Sequence, residues 1–247
     1  MTARRRADAP RVALITGASR GLGSTIARFL AGQGYSVIAN ARTAGPLRRE
    51  AAQLLAVGGR PIEVAGDVAR ADVRRRLRLA AERLGRLDLL VNNASELGPS
   101  PLPPLARFPL RALERIYRTN VVAPVALVQE LRPLLARSRG RIVNISSDAA
   151  VGGYPGWGGY GASKAALDLV SRTLAHELAE DGISVVSVDP GDMRTAMHQA
   201  AYPGESIADR PLPEVTVPFW AWLLGQDPRR VSGHRFRAQA ETWEVPA

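Results

Sequence analysis

The chain lacks cysteine altogether and has one lysine in 247 residues. Without thiols it cannot form disulfides, thiolate metal sites or a cysteine nucleophile, and this composition fits a reducing cytoplasm. Aromatic residues make up only 5% of the chain, and no apolar run approaches the ~18 residues of a membrane span. We therefore expect a soluble, cytoplasmic protein without a membrane segment.

Residues 1–10 contain three consecutive arginines but no apolar stretch behind them. This pattern differs from a signal peptide and predicts a flexible basic tail. The remaining residues, 11–247, suit one large α/β domain that buries most of its apolar surface. Short apolar runs alternate there with helical patterns, which predicts a doubly wound parallel sheet of about seven strands with helices on both faces.

The same alternation gives approximate bounds for each element. We predict strands at 11–16, 35–40, 61–65, 87–91, 140–145, 183–188 and 233–238. We predict helices near 22–33, 46–57, 70–84, 109–137, 159–180 and 213–224. Most of the candidate functional segments follow the carboxyl ends of strands, where open α/β sheets bind their ligands.

The net charge of +10 raises the alternative of nucleic-acid binding. The arginines are dispersed through helical segments such as 73–86, among leucine and alanine at core spacing, and no nucleic-acid module is recognisable. We therefore expect no nucleic-acid partner. The positive field favours anionic ligands instead, including a phosphate-bearing cofactor.

Lys164 is the exception among 33 basic residues that are otherwise all arginine. An ammonium is a compact charge that can relay protons, whereas a guanidinium is planar and stays protonated. Tyr160 precedes it by four residues, so on a helix the two side chains share one face. The cation should lower the pKa of the phenol and make Tyr160 an acid or base near neutral pH. The alternative is an ordinary surface lysine that remains by chance.

A predicted buried strand lies shortly before this pair and ends in two hydroxyl side chains, Ser146 and Ser147. The Ser147 hydroxyl could hold a substrate carbonyl oxygen beside the Tyr160 phenol. No Gly-x-Ser-x-Gly elbow surrounds Ser147, so we exclude a serine nucleophile of that kind. No histidine stands at a metal-ligand spacing either, and we expect no metal.

The chemistry-bearing segments, in chain order, are Thr16-Gly17-Ala18-Ser19-Arg20-Gly21-Leu22-Gly23, Asn92-Asn93-Ala94, Ser147 with Tyr160 and Lys164, and Pro190-Gly191. Together they resemble the short-chain dehydrogenase/reductase family in its single-domain form, over about residues 11–236. The resemblance implies a Rossmann-type fold and hydride transfer between a nicotinamide cofactor and a small carbonyl or secondary alcohol substrate. It also implies a homodimer or homotetramer. The catalytic set would be Ser147, Tyr160, Lys164 and Asn120.

Three glycines, Gly17, Gly21 and Gly23, lie between the first strand and the first helix. Without Cβ atoms they let the backbone approach a pyrophosphate, to which the helix N-terminus offers N–H groups and a positive dipole. The alternative is a glycine-rich turn needed only for tight packing. The predicted cofactor contacts here are Gly17, Ser19, Arg20, Gly21, Leu22 and Gly23.

The second predicted strand indicates which dinucleotide is used. Dinucleotide folds that prefer NAD carry an acid near its end for the ribose 2′-hydroxyl, and residues 37–43 contain none. Arg42 could pair with a 2′-phosphate, and Arg20 could reach it from the other side. The alternative is two more arginines in an arginine-rich chain. We predict NADP(H) in preference to NAD(H).

The resemblance implies further cofactor contacts. Asp67 and Val68 would flank the adenine, and Asn93 and Ala94 would lie against the adenosine ribose. The nicotinamide half would be contacted by Pro190, Gly191, Met193, Thr195, Tyr160 and Lys164. Ser95 departs from the glycine that usually follows Ala94 in the family, and we expect a slightly altered backbone there rather than lost binding.

Asn120 falls inside the predicted helix 109–137, four residues before Pro124. Proline has no N–H, so the carbonyl of Asn120 loses its helical partner and is free to hold a water. In the family, the matching carbonyl binds a water that links the active-site lysine to solvent. The alternative is a core helix with a mild proline kink.

The substrate is not identified by the sequence. A short lid is predicted at about 192–213, and Tyr154 and Trp157 could form walls of an apolar pocket or could simply pack their own loop. An alternative function also stays open: a catalytically quiet NADP-binding regulator or scaffold with the same fold. The complete set of Ser147, Tyr160, Lys164 and Asn120 favours the enzyme.

Overall fold

The structure, a computed structural model, describes residues 10–245. The predicted flexible tail, residues 1–10, therefore lies outside the described residues except for Pro10. The seven strands are β1 Val12–Thr16, β2 Ser36–Ala41, β3 Arg60–Ala65, β4 Leu89–Asn92, β5 Arg141–Ile145, β6 Ser184–Asp189 and β7 Arg235–Arg237. All of them pair in parallel, in the order β3-β2-β1-β4-β5-β6-β7. The predicted doubly wound parallel sheet is confirmed.

The helices cover both faces of this sheet. They are α1 Gly21–Gly32, α2 Ala44–Ala56, α3 Ala71–Leu84, α4 Leu110–Tyr117, α5 Ala123–Ser138, α6 Ala149–Gly152, α7 Gly158–Glu177, α8 Ala196–Ala201, α9 Val217–Gly225 and α10 Pro228–Val231. Short 3₁₀ turns lie at Leu105–Arg107 and Pro213–Thr216, and a π-helical turn spans Arg118–Val122.

Alternate residues of each strand enter two separate cores. Val12 and Leu14 face the layer of α3 and α5, whereas Ala13 and Ile15 face the layer of α1, α2 and α9. This alternation follows from the two-residue period of a strand. Because both faces are covered, β1, β2, β4, β5 and β6 are buried at every residue, as expected for a parallel sheet. The edge strands β3 and β7 are partly exposed.

The predicted helix 109–137 is interrupted, since α4 and α5 are separated by the π-helical turn. The short helices α6, α8 and α10, of four to six residues, were not predicted because a helix of one turn is too short to show a 3.6-residue period. In residues 10–245, no helix has both the length and the apolar character needed to cross a membrane.

Candidate active site

The strand order reverses between β1 and β4, which opens a crevice at their carboxyl ends. Ligands of open α/β sheets bind at such a point. The glycine-rich segment follows β1, and Asn93 to Ser95 follow β4. Ser147 lies two residues beyond β5, and Pro190 directly follows β6. Parallel pairing thus brings four segments distant in sequence to one edge of the sheet.

Two glycines shape the loop after β1. Gly17 has φ +68° and Gly21 φ +55°, a region that residues with a Cβ atom rarely adopt. The amide of Asn93 supports the loop, because its Nδ2 donates to the carbonyl of Thr16 at 2.8 Å. Gly21 faces Thr195, since a Cβ built on it would lie 3.4 Å from the Thr195 methyl group. The glycine loop and the segment after β6 therefore lie against each other.

The N-terminus of α1 carries no side-chain cap. Helix N-terminal N–H groups without such a cap are ready to bind an anion. Arg20 occupies the N-cap position in extended conformation and is exposed. Together with the loop glycines, this end of the helix fits a pyrophosphate group.

Arg42 follows β2 and has an ion-pair partner that the sequence did not suggest. Its Nη1 lies 3.0 Å from Oε2 of Glu96, in the loop after β4. The Arg42 side chain is 63% exposed, so the pair is weak. The Glu96 carboxylate thus pairs with the Arg42 guanidinium, the group predicted to bind the 2′-phosphate.

Three predicted cofactor residues are engaged in the protein itself. Asp67 accepts a hydrogen bond of 2.9 Å from the N–H of Ala69, which is the turn role of an aspartate. Val68 is buried against α3 and α5. Met193 is also buried, in the opposite core. Their side chains therefore pack the fold beside the crevice.

Asn120 lies in the π-helical turn. The N–H of Ala123 reaches back five residues to the carbonyl of Arg118, and Pro124 has no N–H to offer the Asn120 carbonyl. The mild kink that the sequence suggested is therefore a local widening of the helix, a feature common at functional sites.

The amide side chain of Asn120 connects two elements of the site. Its Oδ1 accepts from the N–H of Glu96 at 2.8 Å, and its Nδ2 donates to the carbonyl of Glu96 at 3.0 Å. The same Nδ2 donates to Oγ of Ser163 at 3.0 Å. Asn120 is 1% exposed. It therefore fixes the loop after β4 to helix α7.

Tyr160 and Ser147 meet at the centre of this edge. The hydroxyls of Ser147 and Ser95 are near enough to the Tyr160 phenol to favour its ionised form and so act to lower its pKa, and Tyr160 is 8% exposed. Trp157 packs edge-on against its ring, with centroids 5.8 Å apart. Ser147 Oγ also donates to Asp148 at 2.9 Å. A substrate oxygen placed here would contact both hydroxyl groups.

Lys164 is buried one turn after Tyr160. Its Nζ donates to the backbone carbonyl of Ile145 at 2.7 Å and lies 5.4 Å from the centroid of the Tyr160 ring. Burial lowers the pKa of Lys164 to about 8, which the charge of Asp168 partly offsets. The alternative of an ordinary surface lysine is wrong.

The expectation that Lys164 lowers the pKa of Tyr160 is also wrong for the protein as described here. Burial of the phenol raises the pKa of Tyr160 to about 12. The hydroxyls of Ser95 and Ser147 favour the phenolate, whereas the charges of Asp189 and Asp148 oppose it. Burial of the Tyr160 phenol is the largest of these influences, so it decides that the pKa of Tyr160 rises.

Arg235 supports this site from behind. Its guanidinium contacts Asp168 at 3.0 Å, Asp189 at 3.2 Å and the backbone carbonyl of Ser147 at 2.8 Å. It thereby joins β7 to the residue that follows β5 and to helix α7. Arg235 is paired with Asp168, and the charge of Asp168 in turn acts on Lys164.

The segment after β6 covers one side of the crevice. Residues of α8 and of the following loop, with Thr195, line an open cavity of about 410 Å³. Tyr202 of this segment lies 6.2 Å from Trp157, centroid to centroid. Trp157 therefore forms a wall beside Tyr160, whereas Tyr154 stays exposed.

Sequence reasoning missed the contacts of Glu96 and the roles of Asp168 and Arg235. Asp168 stands four residues after Lys164, so helical spacing could have identified it. Glu96 follows Asn93 closely, but its pairing with Arg42 depends on the fold. Nothing local in the sequence distinguishes Arg235 from the other arginines.

Comparison with known proteins gives a consistent result. Residues 11–206 match the family model described as short chain dehydrogenase. A 3-oxoacyl-[acyl-carrier-protein] reductase of Synechocystis sp. is 35% identical over 189 residues, 75% of each chain. The uncharacterised oxidoreductase YciK of Escherichia coli K12 is 34% identical over 234 residues, 93% of this chain and 92% of the relative.

A solved structure extends the likeness to three dimensions. A short chain dehydrogenase of Escherichia coli CFT073, crystallised as a complex with NADPH, superposes with a TM-score of 0.84 at 33% identity. The match covers 93% of this chain and 97% of that one.

Proposed function

The chain belongs to the short-chain dehydrogenase/reductase family, and from that premise we propose that it is an NADP(H)-dependent oxidoreductase acting on a carbonyl or secondary alcohol. The observation that carries the proposal is the buried pair Tyr160 and Lys164, one helical turn apart, with the Ser147 hydroxyl near the Tyr160 phenol. A protein that only bound the cofactor would have no need for this cluster.

The cofactor would be held along the crevice. The loop Gly17 to Gly23 and the open N-terminus of α1 fit its pyrophosphate, and the predicted contacts after β3, β4 and β6 continue the site. When bound, the nicotinamide supplies or accepts the hydride. Lys164 would also contact the nicotinamide ribose, as the family resemblance implies.

In the reductive direction, Tyr160 gives its proton to the substrate oxygen while Ser147 holds that oxygen by a hydrogen bond. A phenol whose pKa is raised to about 12 is protonated at neutral pH, so Tyr160 holds the proton that this step requires. The Ser147 bond strengthens as negative charge develops on the oxygen. Asn120 would hold the relay water by its backbone carbonyl, which Pro124 leaves without a helical donor.

The preference for NADP(H) rests on Arg42 and on the missing acid at the end of β2. A similar structure was crystallised with NADPH, which supports this choice. Glu96 holds Arg42 at the mouth of the adenosine side, where a guanidinium can pair with a phosphate in a bidentate manner.

We further propose a single nucleotide-binding domain from residue 11 onward, with the segment 192–213 as its substrate lid, assembled as a homodimer or homotetramer. Helices α4, α5 and α7 would form the two-fold contacts. Exposed apolar side chains at Leu110 and Leu169, and at Val122 between α4 and α5, support this assembly.

The deciding experiment is a screen of ketones, quinones and 3-ketoacyl thioesters with NADPH, followed by the nicotinamide absorbance. We include ketoacyl substrates because a relative is named as a 3-oxoacyl-[acyl-carrier-protein] reductase. Turnover that is lost in Tyr160→Phe supports the proposal. NADPH binding without any turnover would favour a regulator or scaffold.

A further inference from the structure

Arg235 lies on the short edge strand β7, yet its side chain is largely enclosed. The next residue, Phe236, is buried in the core beside α1 and α9, so Arg235 faces the opposite side of the sheet, where α7 lies. The Arg235 side chain is 25% exposed, and its two partner carboxylates, Asp168 and Asp189, are 12% and 5% exposed. A guanidinium and two carboxylates are thus enclosed together beside the proposed active site.

The guanidinium of Arg235 divides its N–H donors among three segments of the chain. Nε donates at 3.0 Å to Oδ2 of Asp168, which stands on α7 four residues after Lys164. Nη2 donates to the backbone carbonyl of Ser147 at 2.8 Å and to Oδ2 of Asp189 at 3.2 Å. Because a guanidinium is planar and rigid, the three acceptors are held in a fixed relation to one another.

The bond to Ser147 bears on the direction of its hydroxyl. The carbonyl carbon and the side chain of Ser147 are attached to the same Cα, so a fixed carbonyl restricts the backbone rotation that would carry the hydroxyl away. Two further bonds of Ser147 Oγ are local, since it donates to Asp148 at 2.9 Å and accepts from the Ala149 N–H at 3.2 Å. Arg235, by contrast, holds Ser147 from a different strand.

The bond to Asp189 extends this support to the turn after β6. The other oxygen of the carboxylate, Oδ1, accepts from the N–H of Gly191 at 3.0 Å. Gly191 has φ +73°, a conformation that glycine adopts readily, and it belongs to the segment predicted to contact the nicotinamide. One guanidinium therefore ties Ser147 to the turn that would hold the cofactor.

We propose that Arg235 is a positioning residue of the reaction, which fixes the Ser147 hydroxyl relative to the turn after β6 and so to the bound nicotinamide. This inference rests on the proposed function. The substrate oxygen and the nicotinamide must be held in one geometry for hydride transfer, and a displacement of about 1 Å can cost on the order of 10² in rate. An arginine that served only the fold would have no such effect through Ser147.

The first measurement follows the Ser147 carbonyl directly. Ser147-Asp148 is the only Ser-Asp step in the chain. Protein with ¹³C at the serine carbonyl carbon and ¹⁵N-labelled aspartate therefore gives one peak in an HNCO spectrum. Arg235→Lys keeps the charge, but one ammonium nitrogen cannot take the places of both Nε and Nη2. The carbonyl resonance should move upfield as its hydrogen bond is lost, and an unchanged resonance in Arg235→Lys would overturn the proposal.

The second measurement is a kinetic cycle with Ser147→Ala. Arg235→Lys should lower kcat by about ten- to a hundred-fold and leave the KM of the carbonyl substrate within about two-fold, because the Ser147 bond strengthens only as charge develops. In Ser147→Ala the hydroxyl is already absent, so Arg235→Lys should lower kcat by less than about three-fold further. Losses that multiply in the double variant would indicate a general effect on the fold and contradict the inference.

Arg141→Lys is the matched control, because Arg141 is also a buried arginine that binds two backbone carbonyls. It lies at the opposite end of β5 and donates to the carbonyls of Leu223 and Gln226. Its substitution should leave the Ser147-Asp148 resonance and kcat near wild type, and equal shifts in both arginine variants would contradict the proposal. A shift confined to Arg235→Lys supports it without any substrate, and a wild type without turnover counts against the proposed function alone.

Discussion

The ammonium of Lys164 lies 2.7 Å from the backbone carbonyl oxygen of Ile145, the last residue of β5. This bond anchors the only lysine of the chain to the sheet, and Lys164 is only 1% exposed. The charge is therefore held at a fixed distance from Tyr160 while its solvation is removed. Both the catalytic proposal and the stability of the fold depend on this placement.

Lys164→Arg should abolish most of the turnover and weaken cofactor binding. A guanidinium is bulkier than an ammonium, and the buried space around Nζ is shaped for a compact charge. Steady-state kinetics and NADPH titration at pH 6 to 9 measure both effects. Near-normal turnover would mean that any cation serves at this position.

Lys164→Met should change the pH dependence of stability. The folded protein lowers the pKa of Lys164 from 10.5 to about 8, so between these values the unfolded chain holds more protons and stability rises with pH. Wild type should gain about 2 kcal/mol between about pH 7 and pH 9.5 through this group.

Lys164→Met lacks that gain, and urea unfolding at the two pH values measures the difference. Below about pH 8 Lys164 is charged in the folded wild type, and the full cost of burying that charge lowers the free energy of unfolding. The stability of Lys164→Met relative to wild type should therefore be highest at that pH. A stability difference that is the same at both pH values would contradict the lowered pKa.

Tyr160→Phe should lower kcat by roughly 10² to 10⁴-fold, the loss of a general acid. The substitution removes one oxygen, so the fold and NADPH affinity should persist. Ser147→Ala should also lower kcat while leaving Tyr160 in place. Retained turnover in Tyr160→Phe, at unchanged NADPH affinity, would show that another group supplies the proton.

Arg42→Asp should reverse the cofactor preference. Wild type should bind NADPH at least about ten-fold more tightly than NADH, since a hydrogen bond between charged groups contributes ~1.5–3 kcal/mol. Glu96→Gln is a matched variant that keeps the shape but removes the competing carboxylate, and it should tighten NADPH binding. Equal affinities of wild type for both cofactors in calorimetry would refute the assignment.

The assembly should be a homodimer or homotetramer in solution. Closed symmetric oligomers are the common form of soluble enzymes, and Leu110, Val122 and Leu169 are each more than half exposed. Light scattering at micromolar concentration measures the mass. Leu169→Glu should shift the mass toward the monomer, and a monomeric wild type would contradict the prediction.

The order of strands and helices was predictable because each strand is a short apolar run between turn residues. The position of Asn120 was predictable in part, since Pro124 removes a donor, but the π-helical turn needed the surrounding packing. The pKa of Tyr160 was not predictable. The spacing to Lys164 is visible in the sequence, whereas the depth of burial that dominates it is a property of the folded chain.

The arginine-rich composition also has a practical consequence for protein chemistry. Because Lys164 is the chain's only ε-amine and is buried, amine-directed reagents should modify the α-amino group while Lys164 remains shielded. Any slow second modification then reports how often the crevice opens, and its suppression by added NADPH measures occupancy. The rate of Lys164 modification, measured by intact-protein mass spectrometry, thus reports motion at this site without the need for a substrate.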